Sequence, residues 1–278
     1  MNARALAGWS TAGLTIVMTS ANPVYRALVV LAALNLIVAA GRPGISRRPL
    51  ALSLLIAVAL ATAFNTVLGH SGTHVLARIP DALPVIGGPL TLEGFAYGLG
   101  VGLGLAAAVL TVAPLSLCIE PDQLVAALPR ALSRSGAALG AALNLVPAIA
   151  RSVTAIGEAQ RLRGIPVGLR GARSILIPAT LTALEDSLQL AESMEARGYG
   201  SGPRSAYVQS NWHPFDVLVV VVSAGVAAPF VVAHALGGIP DWYPYPALTA
   251  PPVSLFAVAA CLFLILPALR WRSPPSTA

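Results

Sequence analysis

Glu158-Ala159-Gln160-Arg161-Leu162-Arg163-Gly164 and Glu192-Ser193-Met194-Glu195-Ala196-Arg197-Gly198 carry one pattern twice: Glu, then Arg five residues on, then Gly at once, with the two arginines thirty-four positions apart. Both copies lie between Leu139 and Arg204, where an otherwise apolar chain concentrates its charge. A helix ends with unpaired carbonyls and a partial negative charge. A cation in its last turn is therefore stabilised, and a Gly just beyond takes the left-handed conformation that closes the helix. The pattern predicts two helices with the same ending, each holding an Arg at a rigid tip. A single Arg-Gly dipeptide reads as a plain cap; the repeat, with Glu at the same offset, points to a use beyond capping.

The flanking sequence is amphipathic. Val146, Ile149, Val153 and Ile156 share one helical face while Arg151, Thr154 and Glu158 lie elsewhere, and Pro147 predicts a kink or a joint. In the second helix Ile177, Leu181, Leu184 and Leu188 oppose Glu185, Asp186, Gln189 and Glu192. Neither pattern suits a lipid-spanning helix. Arg163, Gly164, Ile165, Pro166, Gly168, Arg170 and Arg173 form a basic turn between them, and Tyr199 to Arg204 follows the second tip. Upstream, Glu120-Pro121-Asp122 reads as the start of an interfacial helix through Leu124, Leu128 and Leu132, with Arg130 and Arg134 near its end.

Outside this stretch the chain is built for lipid. Of 278 residues 56% are hydrophobic and 10% charged, and the mean hydropathy of +0.77 belongs to polytopic membrane proteins. The basic residues are 17 Arg and no Lys, so the net charge of +6 carries no argument for nucleic acid; where the arginines fall is what informs. Ala5 to Thr19 and Arg26 to Ala40 are short apolar runs meeting at Asn22-Pro23, a short hairpin. A cleaved signal peptide ending at Ala21 and a retained first helix both fit, and the retained helix is the reading carried forward. Leu50 to Gly69, Gly94 to Leu117, Val217 to Leu236 and Val253 to Leu269 are further spans.

His70 to Leu92, broken by Pro80, Pro84, Gly87-Gly88 and Pro89, reads as an outside loop. His70 and His74 have a spacing that puts two imidazoles on one helix face, but Gly72 between them favours a solvated loop. The glycines at 98, 100, 102 and 104 permit close helix packing in lipid; with no preceding strand and no Lys they do not make a phosphate loop. Cys118 and Cys261 sit in apolar surroundings without metal-ligand spacing and read as buried and inert.

Six crossings with both termini inside leave 15 of the 17 Arg on the cytoplasmic side and only Arg26 and Arg78 outside. The expected fold is an all-α polytopic membrane protein with about six membrane helices plus cytoplasmic amphipathic coupling helices. Its expected divisions are N-terminal membrane helices over 1-118, the cytoplasmic helices over 119-204 and C-terminal membrane helices over 205-278.

The paired Arg-Gly ends, the Thr91-Leu92-Glu93-Gly94 start of a glycine-rich span and the string Met194-Glu195-Ala196-Arg197-Gly198-Tyr199 resemble the transmembrane T component of energy-coupling factor (ECF) transporters, the group that includes the cobalt permease CbiQ. The second tip matches the family's Ala-Arg-Gly signature; the first has Leu162 where Ala is usual. The resemblance implies a scaffold and not an enzyme, with no cofactor and no metal site of its own. It sits in a bacterial inner membrane and joins two cytoplasmic ATP-binding-cassette ATPases to a small membrane S component that captures a vitamin or a transition-metal ion. The docking residues it implies are Ala159, Arg163 and Gly164 at one tip and Ala196, Arg197 and Gly198 at the other, supported by Glu158, Glu192, Glu195 and Tyr199. The chain agrees in having no G-x-x-x-x-G-K-[ST] and no Lys to contact phosphates. Two other readings are an independent secondary transporter, for which the long spans lack ionisable residues near the bilayer centre, and a membrane-embedded lipid-modifying enzyme, for which Glu185, Asp186 and Glu192 are the available carboxylates.

Overall fold

The structure is a computed structural model and describes residues 2–41, 46–80, 87–120, 123, 133–165, 172–198 and 212–270. It divides into two compact units, Met1–Glu120 with Asn211–Ala278, and Pro121–Ser210.

In the first unit α1 (Ala3–Thr19) and α2 (Pro23–Ala40) form a hairpin. Both starts are capped by asparagine: the side-chain oxygen of Asn2 accepts the Arg4 N–H and that of Asn22 the Val24 N–H, each at 3.0 Å, and Pro23 occupies the first turn, where its missing N–H costs nothing. Starting at Pro23, α2 has 18 residues and counts among the long apolar helices, rather than the fifteen-residue run expected from Arg26. The others are α3 (Arg48–Leu68), α4 (Leu92–Cys118) and α7 (Pro214–Ala235), so the described residues contain four helices long and apolar enough to cross a membrane. α8 (Leu255–Phe263) and α9 (Leu266–Arg270) complete the unit.

α4 is the centre on which α1, α2 and α3 pack, while α1 also packs on α7. Trp9, Tyr25, Leu36 and Phe230 are fully buried between them. The glycines of α4 divide their work by face. A Cβ on Gly98 would stand 2.8 Å from the Thr62 backbone and one on Gly102 3.1 Å from that of Val58, so this stripe lets α3 approach closely. Gly104 makes room on another face for the Arg26 guanidinium, which donates to the carbonyls of Gly100 at 2.8 Å and Ser20 at 3.2 Å. Arg26 is thus half-buried and bonded to backbone in the first turn of α2. α3 leaves an apolar cavity of about 790 Å³ against α4 and α2, lined by Leu54, Val58, Thr62, Phe95 and Leu99 among others.

Two sequence expectations need correction here. The fold is all-α in class as expected, but the expected loop after α3 contains a small antiparallel hairpin of β1 (Val75–Ile79) and β2 (Gly88–Thr91), with Ala77 opposite Leu90 and Ile79 opposite Gly88. Its prolines and glycines masked the strands; Pro89 is tolerated because a two-stranded sheet has only edge strands. The hairpin is fastened by Glu93, whose fully buried carboxylate accepts the Thr73 N–H and hydroxyl, the His74 N–H and the His74 Nδ1 at 2.7 Å. Gly72, at φ +146°, brings the chain against that carboxylate. His70 and His74 accordingly lie on no common helix, and the described residues hold no group of three metal-ligating side chains.

The last span is broken instead of continuous over Val253 to Leu269. Pro267 has no N–H to return to Phe263, and the chain turns at Leu264–Ile265 with shorter bonds, Leu264 N–H to Cys261 O and Ala268 N–H to Ile265 O. That leaves the Leu264 carbonyl free, and the buried Trp9 indole donates to it at 2.8 Å. Cys261 is buried as expected, whereas Cys118 is partly exposed.

Candidate functional site

The second unit holds α5 (Ser133–Leu162) and α6 (Ala172–Ala196). α5 runs unbroken across Pro147, so no joint lies there; a single proline removes one intrahelical bond, and the Pro147 carbonyl is used by Arg151 Nε at 3.3 Å. α6 begins five residues before Ile177 and takes in Arg173, which therefore belongs to a helix and not to the basic turn. Residues 166–171, including Arg170, and the interfacial helix expected after Glu120 lie outside the described residues, apart from Gln123.

Both tips have the ending their sequences predict. At the first, Arg163 is the residue that closes α5 and Gly164 stands at φ +75°; the Gly164 N–H reaches the Arg161 carbonyl at 3.0 Å and the Ile165 N–H the Gln160 carbonyl at 3.0 Å, the pair of bonds of a Schellman cap. At the second, Gly198 stands at φ +72° and its N–H reaches the Glu195 carbonyl at 2.9 Å, while the Arg197 N–H reaches Ser193 at 3.2 Å. A Cβ on Gly164 would meet nothing within 4 Å, so glycine is required there by conformation and not by space. Ala159, Arg163, Gly164, Ala196, Arg197 and Gly198 are all exposed, as are Glu158, Glu192 and Glu195. Tyr199 lies outside the described residues.

The structure does not bring each Glu to its Arg. Five residues turn a helix through about 500°, leaving the two side chains on different faces, and among the described residues neither Arg163 nor Arg197 has a carboxylate within ion-pair distance. Glu158 instead lines a shallow groove of about 380 Å³ with Ala150, Arg151, Thr154 and Ala155.

α5 and α6 pack on each other, and small residues take part where the end of α5 meets the start of α6. Among the described residues of the pair Gly157 and Ala179 are buried, Ile175 reaches over Gly157, and the Gln160 side-chain amide donates to the Ser174 carbonyl at 3.2 Å. The C-terminal end of α5 therefore lies beside the start of α6, and the Arg197 tip is at the far end of α6, about 35 Å along the helix axis from Ser174 at 1.5 Å per residue. Because this packing uses glycine and alanine, the apolar stripe of α6 is not consumed by it: Ile177, Leu181, Leu184 and Leu188 are each more than half exposed. Gln160 and Gly157 are missing from the residues singled out in the sequence. Gly157 inside an amphipathic helix was the available signal, while nothing local marks Gln160.

Comparison with known proteins bears on what such a pair of tips belongs to. The family model for CbiQ, described as cobalt transport protein, matches residues 5–208. The chain is 26% identical over 181 residues to the energy-coupling factor transporter transmembrane protein EcfT of Bacillus selenitireducens, an alignment covering 60% of this chain and 67% of that protein. It is 32% identical over 124 residues to the EcfT protein of Streptococcus equi subsp. equi, covering 41% and 46%, and 32% identical over 99 residues to that of Thermotoga maritima, covering 33% and 36%. The matched stretch thus spans two thirds of the first relative and less than half of the other two.

Proposed function

The chain belongs to the CbiQ family of cobalt transport proteins, and from that premise we propose that it is the transmembrane scaffold of an ECF-type importer. It joins two partner ATPases of the ATP-binding-cassette class to a substrate-capturing S component that takes up a vitamin or a transition-metal ion. Membership of a transport family sets aside the membrane-enzyme alternative. The observation that carries the reading is the pair of helix ends closed by left-handed glycines, each presenting an exposed Arg with no carboxylate partner among the described residues, at opposite ends of one helix pair. A guanidinium held at a rigid tip, with no partner among the described residues, suits a carboxylate in a groove of another subunit, which it can bind with two parallel hydrogen bonds. Two tips about 30 Å apart suit two ATPases better than one. The exposed stripe of Ile177, Leu181, Leu184 and Leu188 is the surface offered to the S component. ATP-driven closure of the ATPases then moves one tip relative to the other, and the helices carry that movement to the membrane subunits.

The composition of the purified complex tests this. Expressed with its genomic neighbours and isolated in mild detergent, the chain is expected to bring down two ATPase subunits and one small membrane protein. Recovery of the chain alone, active in uptake without any ATPase, would leave the secondary transporter as the surviving reading.

Orientation has its own test. We propose six crossings with both termini cytoplasmic, from the bias of 15 arginines against two. Single cysteines at Ser46, Ser201 and Ser276, the last two outside the described residues, are expected to resist an impermeant thiol reagent in intact cells, and one at Ser71 to react. Labelling of Ser201 from outside would reverse the topology and remove both tips from the ATPases.

A further inference from the structure

We infer that Leu162 assigns the two tips to unlike grooves: the first enters an ATPase groove with an apolar pocket beside its carboxylate, and the second, with Ala196 in the same place, enters one without. The inference rests on the docking reading proposed above and goes beyond it, because docking by Arg alone leaves the tips interchangeable.

The two ends are chemically matched up to this residue. Leu162 is the last helical residue before Arg163, as Ala196 is before Arg197, and both are followed by Gly at φ +75° and +72° with the same N–H bond closing the turn. Equal backbone at the cap gives the Cβ at this position the same direction relative to the Arg in both tips. The difference is the three further carbons of Leu.

Those carbons are not covered by the described residues. Leu162 is 90% exposed, more than any other large apolar residue described. The next most exposed, Leu255 at 87% and Leu236 at 81%, belong to the membrane unit, where lipid can cover them. Leu162 sits instead on a helix that is not among the candidate spans, with Arg161 and Arg163 on either side of it. Burial of such a side chain without stranding the neighbouring guanidiniums calls for an apolar pocket rimmed by acceptors, which a protein groove supplies and acyl chains do not. A groove closed down on alanine would in turn exclude leucine, and one shaped for leucine would be left with a void by alanine.

The full complex with both ATPases is the material for the test. A photo-crosslinking amino acid at Ile165 is expected to mark one ATPase chain only, and the double exchange Leu162→Ala with Ala196→Leu to move the mark to the other. Leu162→Ala alone is expected to weaken capture of the first ATPase by about tenfold or more in Kd. Unchanged capture by Leu162→Ala together with loss in Arg163→Glu overturns this inference and keeps docking. Normal capture in Arg163→Glu overturns docking itself. Two identical ATPase chains, marks spread over both in the unaltered complex, or lipid adducts from a crosslinker at position 162 in nanodiscs would each overturn the assignment.

Discussion

Replacing both Arg163 and Arg197 by Glu is expected to abolish copurification with the ATPases and ATP-dependent uptake, while the protein still inserts into the membrane and each single replacement only weakens assembly. Both side chains are exposed and make no bond among the described residues, so their loss is expected to cost the fold little. Glu at a helix C-terminus opposes the macrodipole by about 0.3–1 kcal/mol, which a folded membrane protein tolerates. In the docked complex the same change removes one partner of a desolvated charge pair and leaves a carboxylate facing a carboxylate. Breaking such a pair costs about 3–5 kcal/mol, roughly 150- to 5,000-fold in affinity per tip. Arg→Lys at each tip separates charge from shape: a marked loss indicates a bidentate contact, and near-normal capture a point charge. Arg151 and Arg173, exposed on the helix faces, are expected to change capture less than either tip when replaced by Glu. If the double variant still brings down both ATPases and supports uptake, the two ends are caps and nothing more.

The second large effect belongs to the membrane unit. Glu93→Ala is expected to destabilise it by removing the one acceptor that four donors share, and to lower the melting temperature in detergent by on the order of 5 °C. The Glu93 carboxylate is fully buried and gathers two N–H groups, one hydroxyl and one imidazole from Thr73 and His74, so its removal leaves the start of β1 tied to α4 only by the Leu92 N–H to the His74 carbonyl and by the chain itself. Gln at this position keeps one acceptor and should lose less than Ala. Gly72→Ala reaches the same place from the other side, since its Cβ would stand 2.5 Å from Glu93 Oε2 at a φ of +146°. A melting temperature for Glu93→Ala within a degree or two of the unaltered protein would show that the hairpin is held by something else.

What could be read in advance divides by range. Helices, their apolar character and the left-handed glycines at 164 and 198 follow from signals confined to a few residues, and the structure has them. The hairpin was hidden because Pro80, Gly87, Gly88 and Pro89 are loop signals locally; only pairing across nine residues, anchored by Glu93, makes strands of Val75–Ile79 and Gly88–Thr91. The break at Leu264 has a local cause in Pro267, but it is stabilised by Trp9 from the opposite end of the chain. In the second unit each tip was legible, whereas their placement at opposite ends depends on where α5 meets α6, and that contact is made by Gly157, Ala179 and Gln160, residues with no charge or periodicity to announce them.

That meeting point has a mechanical consequence. A pivot at the level of Gly157 and Ala179 would stand six residues from Arg163 but eighteen from Arg197. At 1.5 Å per residue the arms are about 9 Å and about 27 Å, so one small rotation of the helices about each other displaces the far tip roughly three times as much as the near one. By the same ratio a force applied at Arg197 has three times the torque of an equal force at Arg163. On the docking reading proposed above, of two ATPases closing symmetrically the one holding Arg197 would set the stroke, and the one holding Arg163 would serve as the mounting against which it pulls.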